Sequence, residues 1–93
     1  MAKSVSFNVA YDARADVLYI SARMEPMACG TEDPHGIVWR YGSDGKLIGA
    51  TIVDFREVWG DNAASLAFEI AARFDIPRRQ ALNVVEHALE SGT

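Results

Sequence analysis

Alternation of apolar and polar residues predicts two β-strands near the start of the chain. Within residues 5–11 the larger apolar side chains fall on one face and small side chains on the other, and residues 17–23 repeat the alternation. A period of two residues is typical of a strand with one buried face. The connector at residues 12–16 is short enough to join the strands as an antiparallel hairpin, and its two aspartates can bond the backbone of a turn.

A second predicted hairpin organises the middle of the chain. Apolar runs at residues 36–41 and 47–53 flank the pair Asp44 and Gly45, and Asp-Gly between such runs is a strong hairpin signal. The second run is apolar on both faces, which indicates a central or doubly covered strand. Residues 24–35 contain two prolines that lack an amide donor, so we expect a loop there. Four sequential strands predict an antiparallel β-meander over residues 5–55.

The apolar period changes to that of a helix after residue 60. The first helical stripe consists of Ala63, Leu66, Ala67, Ile70, Ala71 and Phe74, with Asp61 or Asn62 as the expected N-cap. Pro77 ends this helix and is tolerated in the first turn of another. The second stripe consists of Leu82, Val85 and Leu89, broadened by Ala81, Val84 and Ala88, and Gly92 follows its end. We therefore expect one α+β domain over residues 1–93, whose helical tail at 61–91 packs on the sheet or on a partner subunit.

Length and composition place the chain among small soluble proteins. Ninety-three residues bury a thin core, and self-association would enlarge it, so a homodimer is expected. The net charge of −4 gives no broad electrostatic footprint for nucleic acid. The single cysteine excludes an internal disulfide, and neither a signal peptide nor a membrane span is recognisable in the sequence. We expect a cytoplasmic protein that does not bind membranes.

The strand residues also carry a recognisable motif. It reads Tyr11-Asp12-x-x-x-Asp16-x-Leu18-Tyr19-Ile20, then Gly36-Ile37-Val38 and Asp44-Gly45-x-Leu47-Ile48-Gly49-x-x-Ile52. Over about residues 7–55 the chain resembles the bacterial family catalogued as domain of unknown function 2283. The resemblance implies a β-rich fold and no established activity, and some relatives look like small partners in toxin–antitoxin-type gene pairs. The chain departs from the family pattern at Arg40, Gly42 and Thr51. The family often has acidic residues at these three positions.

Three groups of residues are candidates for chemistry. Glu25, Cys29, Glu32, Asp33 and His35 lie in the predicted loop but lack the paired spacing of zinc ligands. Cys29 with His35 or His87 would form a nucleophile pair, but the acidic surroundings oppose a thiolate. Asp12 and Asp16, with Tyr11 and Tyr19, could exchange protons, but aspartates at turns usually bond the backbone. We expect no catalytic site, no metal and no cofactor.

The helical tail resembles a helix-turn-helix. Apolar positions, a small residue in the first helix and a tight turn fall where that motif places them, with Asp75 where glycine is favoured. If the second helix entered a major groove, it would present Arg78, Arg79, Gln80 and Asn83. Acidic residues on the same helices and the acidic total charge oppose this interpretation. The alternative is an αα-hairpin whose stripes cover the sheet or pair with another subunit.

Two functional hypotheses follow from the sequence. The first is a small non-enzymatic module that acts through homodimerisation or through binding a protein partner. The alternative is a DNA-binding regulator, antitoxin-like, that uses the helical tail. The thin core and the lack of a catalytic constellation favour the first hypothesis.

Overall fold

The computed structural model describes residues 7–23 and 25–91 of the chain. Its five strands are β1 (Asn8–Asp12), β2 (Val17–Ser21), β3 (Cys29–Glu32), β4 (Ile37–Tyr41) and β5 (Leu47–Val53). Three helices follow, namely α1 (Phe55–Trp59), α2 (Ala63–Phe74) and α3 (Arg78–Ser91). The α+β class and the two long C-terminal helices are confirmed. The short helix α1 was not expected. The predicted strand start at Val5 and the predicted Gly92 after the last helix lie outside the described residues.

The strands form one antiparallel sheet in the order β1-β2-β5-β4-β3. The prediction of a four-stranded meander was therefore wrong in strand number and in neighbours. The N-terminal hairpin does not lie beside β4; instead β2 pairs with β5, with Leu18 opposite Ile52 and Ile20 opposite Ala50. The expectation of a central position for the strand at 47–53 is confirmed, since β5 has two strands on each side of it.

Strand β3 lies inside the stretch that we expected to be a loop. It pairs with β4 and forms an edge of the sheet, and all four of its residues are exposed. A strand without a buried side chain has no apolar alternation, so the pattern on which the prediction rested is missing there. Pro26 and Pro34 lie outside the strand, and they interrupt no ladder.

The helices cover one face of the sheet of the same chain. The buried cluster joins side chains of β2, β4 and β5 to α1, α2 and α3, and its largest fully buried members are Trp39, Phe55, Leu18, Ile20, Ile37, Ile52, Leu66, Ile70 and Val85. Asn62 holds the N-cap position of α2, but its side chain makes no cap hydrogen bond. Packing of the apolar stripe, rather than capping, therefore stabilises α2.

Asp16 connects the first hairpin to α1. Its carboxylate accepts hydrogen bonds from the Tyr11 hydroxyl at 2.6 Å and from the amide groups of Arg56 at 2.9 Å and Glu57 at 3.2 Å. Its carbonyl oxygen accepts from the amide of Phe55 at 2.9 Å. Asp54 occupies the N-cap position of α1 but makes no side-chain cap hydrogen bond. A residue far away in sequence therefore supplies the carboxylate that a helix start favours.

Arg56 extends this connection to the end of the helical tail. Its guanidinium donates to the carbonyl of Leu89 in the last turn of α3, and it lies 5.6 Å from the centre of the Tyr11 ring. The last carbonyl groups of a helix lack intrahelical donors, so a cation there is favourable. The hairpin, α1 and the end of α3 are thus tied together by hydrogen bonds as well as by the core.

The second face of the sheet carries no helix in the described part of the chain, and Arg40 crosses it. The Arg40 guanidinium donates to the carbonyl of Ile20 at 2.9 Å and to the Ser21 hydroxyl at 3.2 Å. It reaches these groups across Gly49, where a side chain would collide with it. Gly49 therefore allows a close approach of the guanidinium to the strand backbone.

Gly49→Ala tests this close approach. A Cβ atom at position 49 would lie 2.7 Å from the carbonyl oxygen of Ile20 and would also collide with the Arg40 guanidinium. We expect the free energy of unfolding, measured by urea denaturation, to fall by about 1–3 kcal/mol. The control is Gly30→Ala on the edge strand, where the nearest atom is the flexible Met27 Sδ at 3.1 Å, and a change within about 0.5 kcal/mol is expected. Equal losses in both variants would contradict the steric explanation.

Asp16→Asn tests the connection between the hairpin and α1. Burial raises the pKa of Asp16, but hydrogen bonds from Tyr11 and from the amides of Arg56 and Glu57 outweigh it, so the pKa lies below its ordinary value. The stabilising effect of the carboxylate is therefore complete above the unfolded pKa of about 3.9 and is lost as the pH falls through the lower folded pKa. At pH 7 we expect Asp16→Asn to cost about 1–2 kcal/mol and to weaken the acid dependence of unfolding.

The matched control for this variant is Asp54→Asn. Asp54 shares the left-handed backbone of Asp16 and lies at the same helix start, but it makes no cap hydrogen bond. We expect a change within about 0.5 kcal/mol. If chemical denaturation between pH 2 and pH 7 gave the same curve for both variants, the role of the Asp16 carboxylate would be rejected.

Candidate functional site

The turn between α2 and α3 is closed by a residue in the left-handed region, as the helix-turn-helix interpretation expected. Asp75 lies in the left-handed region with φ 56° and ψ 52°, a position that glycine usually occupies. The amide groups of Asp75 and Ile76 both donate to the carbonyl of Ala71, and the Ile76 side chain is buried. Because aspartate tolerates the left-handed region better than most residues, the tight turn forms without glycine.

The four residues that we identified as possible DNA contacts lie at the start of α3. Arg78, Arg79 and Asn83 are exposed, and Gln80 is half-buried. The buried face of the helix consists of Ala81, Val85 and Ala88. The structure thus brings the four polar residues together on one helix start with three of them facing solvent, while Leu82 and Leu89 of the predicted stripe are half-buried.

The charges of α3 oppose the helix dipole. Arg78 and Arg79 occupy its first turn, which contains no acidic residue, and Glu90 lies in its last turn, which contains no basic one. A helix start favours negative groups and a helix end favours positive ones, by about 0.3–1 kcal/mol each. Residues that break a local rule in this way are typical of functional positions.

A groove with a volume of about 500 Å³ runs between α2 and the start of α3. Its lining from α2 consists of Ala64, Ser65, Ala67, Phe68 and Glu69, and its lining from α3 consists of Arg78, Arg79 and Leu82. The small residues of α2 give the groove its depth, and Phe68 and Leu82 supply apolar surface. Its volume lies within the range of about 300–1,000 Å³ that is common for ligand sites.

Phe68 is the one aromatic residue in the lining of this groove, and 51% of its surface is accessible. The Arg78 guanidinium carbon lies 5.0 Å from the centre of its ring, within the range of a cation–π contact. This contact places the guanidinium beside the apolar surface. Sequence reasoning missed Phe68, although a large apolar residue that falls outside the stripe of its helix was a usable signal.

The predicted loop residues have structural contacts instead of a common site. The Asp33 carboxylate accepts from the amides of His35 and Ile37 at 2.9 and 3.1 Å and from the indole nitrogen of Trp39 at 3.1 Å. Burial raises the pKa of Asp33, but these hydrogen bonds outweigh it and lower the pKa overall. Within residues 7–23 and 25–91, no three His, Cys, Asp or Glu side chains are grouped so that they could hold a metal ion.

Cys29 and His35 are at opposite ends of the β3–β4 pair. Cys29 lies opposite Tyr41, whereas His35 belongs to the turn beyond Glu32. Three strand steps of about 3.3 Å separate Cys29 from Glu32 alone. The His35 ring packs against Trp59, with centroids 6.0 Å apart, so Cys29 and His35 do not form a nucleophile pair.

Among the candidate proton-transfer residues, Tyr11 and Asp16 are in direct contact, whereas Asp12 and Tyr19 have other surroundings. Asp12 accepts from the amides of Arg14 and Ala15 at 3.1 and 3.3 Å, and Asp16 is engaged at the start of α1. The hydrogen bond to Asp16 is the main reason that the pKa of Tyr11 is raised. Tyr19 lies on the opposite face of the sheet with 41% of its surface accessible. The acidic motif residues therefore shape turns and a helix start.

The positions at which the sequence departs from the family pattern have structural explanations. Arg40 bonds the backbone of β2 across Gly49. Gly42 is buried, and the Glu25 carboxylate occupies the space that a side chain would need there. Thr51 is half-buried opposite Tyr19. The three positions present no carboxylate of their own.

Comparison with known proteins gives a family. The family model described as "Protein of unknown function (DUF2283)" matches residues 8–56, more than half of the chain, and α2 and α3 lie outside the match. No curated protein and no solved structure matches. A search of the described residues for a helix long and apolar enough to cross a membrane finds none.

Proposed function

Because this chain belongs to the DUF2283 family of proteins of unknown function, we propose its function from its own surfaces: it is a non-enzymatic module that binds another protein chain through the groove between α2 and α3. The bound chain is either a second copy or a different partner. The single exposed Cys29 is compatible with the reducing cytoplasm, where we place the protein.

The observation that carries this proposal is the exposed Phe68 beside Arg78. Aromatic residues and arginine are the side chains most enriched at the energetic centres of protein interfaces. Covering the accessible half of Phe68 would gain about 1 kcal/mol, since full burial of such a side chain gains about 1.5–3 kcal/mol. Small residues along α2 would let a partner approach closely.

The hydrogen bonds of the acidic residues support a non-enzymatic module. The acidic residues considered for chemistry include Asp12, Asp16 and Asp33. Each of these three carboxylates accepts hydrogen bonds from backbone amides. The lowered pKa of Asp16 and of Asp33 keeps these carboxylates ionised at neutral pH. A general acid or base requires a pKa near the working pH instead.

A photo-crosslinking residue in place of Phe68 tests the proposal. We expect benzoylphenylalanine at position 68 to form a covalent adduct with another chain on irradiation in native cells, because the ring is exposed and lines the groove. Mass spectrometry then identifies the adduct as a second copy or a different protein. The control is the same residue in place of Val58, an apolar α1 side chain that is 43% accessible.

The comparison of the two positions decides the outcome. An adduct at position 68 that competes with excess unlabelled protein, with none at position 58, supports the groove as the binding surface. Equal adducts at both positions, or none at either, contradict it. Size-exclusion chromatography with light scattering then separates the cases, since only a bound second copy doubles the mass of the purified protein.

A second candidate function is DNA binding by α3. The left-handed Asp75 turn and the exposed Arg78, Arg79 and Asn83 favour it, since arginine and asparagine contact phosphates and base edges. Opposing charges lie in the two helices and the turn between them, where Glu69, Asp75, Glu86 and Glu90 outnumber Arg73, Arg78 and Arg79. The homodimer and protein-partner functions therefore remain the main proposal.

A mobility-shift assay on DNA upstream of its own gene separates the two candidates. At about 50 mM salt, DNA binding predicts a shift at micromolar protein that Arg78→Ala with Arg79→Ala abolishes and Arg14→Ala leaves intact. Phe68→Ala would leave a DNA shift nearly unchanged but would weaken partner binding about fivefold, the equivalent of about 1 kcal/mol. The absence of a shift, or a shift that survives loss of both arginines, rejects the DNA function.

A further inference from the structure

The lining of the groove between α2 and α3 has more basic than acidic residues, although the protein has a net charge of −4. Arg78 and Arg79 form its α3 side, and Glu69 is the single acidic residue of its lining. The α3 side also receives the positive end of the helix dipole, because the first amide groups of any helix lack intrahelical acceptors. The protein therefore presents a local positive surface that is joined directly to an apolar one.

Resting on the proposed partner binding, we infer that the occupant of this groove is an amphipathic acidic helix of a partner protein. Its apolar side chains pack on Phe68, Ala64 and Leu82, and its carboxylates pair with Arg78 and Arg79. Charge complementarity selects an acidic occupant over a basic one. A helix fits because Ala64 and Ser65 leave the wall of α2 low, and amphipathic helices bind grooves through apolar anchors at helical spacing.

The contact between Arg78 and Phe68 prepares the site for a carboxylate. A cation–π contact uses the charge of the guanidinium and none of its N–H hydrogen bonds. The N–H groups can bind a carboxylate with two parallel hydrogen bonds. The contact also restricts the side chain before binding, which lowers the entropy lost when the partner arrives.

Glu69 gives the groove a direction. It lies on the α2 wall, whereas both arginines lie on the α3 side. An acidic residue placed against Glu69 would be repelled, so the carboxylates of the occupant must lie toward α3. The apolar residues of the occupant then face the surface formed by Phe68 and Ala64. A partner helix can therefore bind in only one orientation about its own axis, with its carboxylates toward α3.

The test uses three synthetic peptides of about 16 residues, near the length at which an isolated helix becomes stable. The first has leucines at helical spacing flanked by glutamates, the second replaces each glutamate by lysine, and the third replaces each leucine by alanine. Each is titrated into the full-length protein, and backbone amide NMR shifts are followed. We expect the first peptide to shift amides around Phe68 and Arg78 and to bind about tenfold or more tightly than either of the others.

A charge reversal provides the specific control. Arg78→Glu with Arg79→Glu should reverse the preference, so that the lysine peptide binds better than the glutamate peptide. Arg14→Glu changes an exposed arginine in the β1–β2 turn and should leave the preference unchanged. Thermal unfolding of each variant confirms that it is folded before the titration.

The outcomes separate the two proposals. Three outcomes overturn the acidic helix as occupant but leave the proposed partner binding intact, provided that the crosslink at position 68 persists. They are equal binding of the glutamate and lysine peptides, amide shifts confined to the Tyr19 face of the sheet, and no binding of any peptide. Loss of the position-68 crosslink as well overturns both. Displacement of the glutamate peptide by a short DNA duplex, with affinity reduced by Arg78→Ala and Arg79→Ala, favours the DNA function and also overturns this inference.

Discussion

The carboxylate of Asp16 joins the two parts of the molecule. It receives the Tyr11 hydroxyl from β1 and two amide groups from the start of α1, so it sets where the chain leaves the sheet. From that point Phe55 and Trp59 turn into the core, and α2 and α3 follow across the same face. Arg56 then contacts the end of α3. The position of the helical tail therefore depends on a residue of the first hairpin. The family match, which ends at residue 56, includes Tyr11, Asp16 and Arg56.

Local patterns predicted the parts of the fold that have local causes. The alternation around Leu18 and Ile20 identified β2, and the stripe from Ala63 to Phe74 matched α2 closely because one face of each is buried. Strand β3 has no buried residue, so it left no trace in the pattern. The pairing of β2 with β5 was missed for a different reason: it joins segments about thirty residues apart, and the nearest-neighbour rule favours adjacent strands.

The candidate site was predictable only in part. The sequence pointed to Arg78, Arg79, Gln80 and Asn83 because their spacing on a helix is a local property. The groove requires Phe68 and Arg78, ten positions apart on different helices, to meet, which depends on the Asp75 turn. The roles of Asp16 and Asp33 likewise depend on amides that only the folded chain brings to them. A surface that two elements form together cannot be predicted from the local pattern of either element.

The central position of β5 has a consequence for folding during synthesis on the ribosome. It is the last strand to be synthesised, yet β2 and β4 can be joined only through it. At about 5–20 residues per second, a ribosome leaves the β1–β2 hairpin waiting for seconds before β5 emerges. An isolated two-stranded hairpin is marginally stable in water. The nascent chain therefore exposes the apolar side chains of β2 throughout that interval, and a stalled or truncated product that ends before Leu47 is a natural substrate for chaperones and proteases.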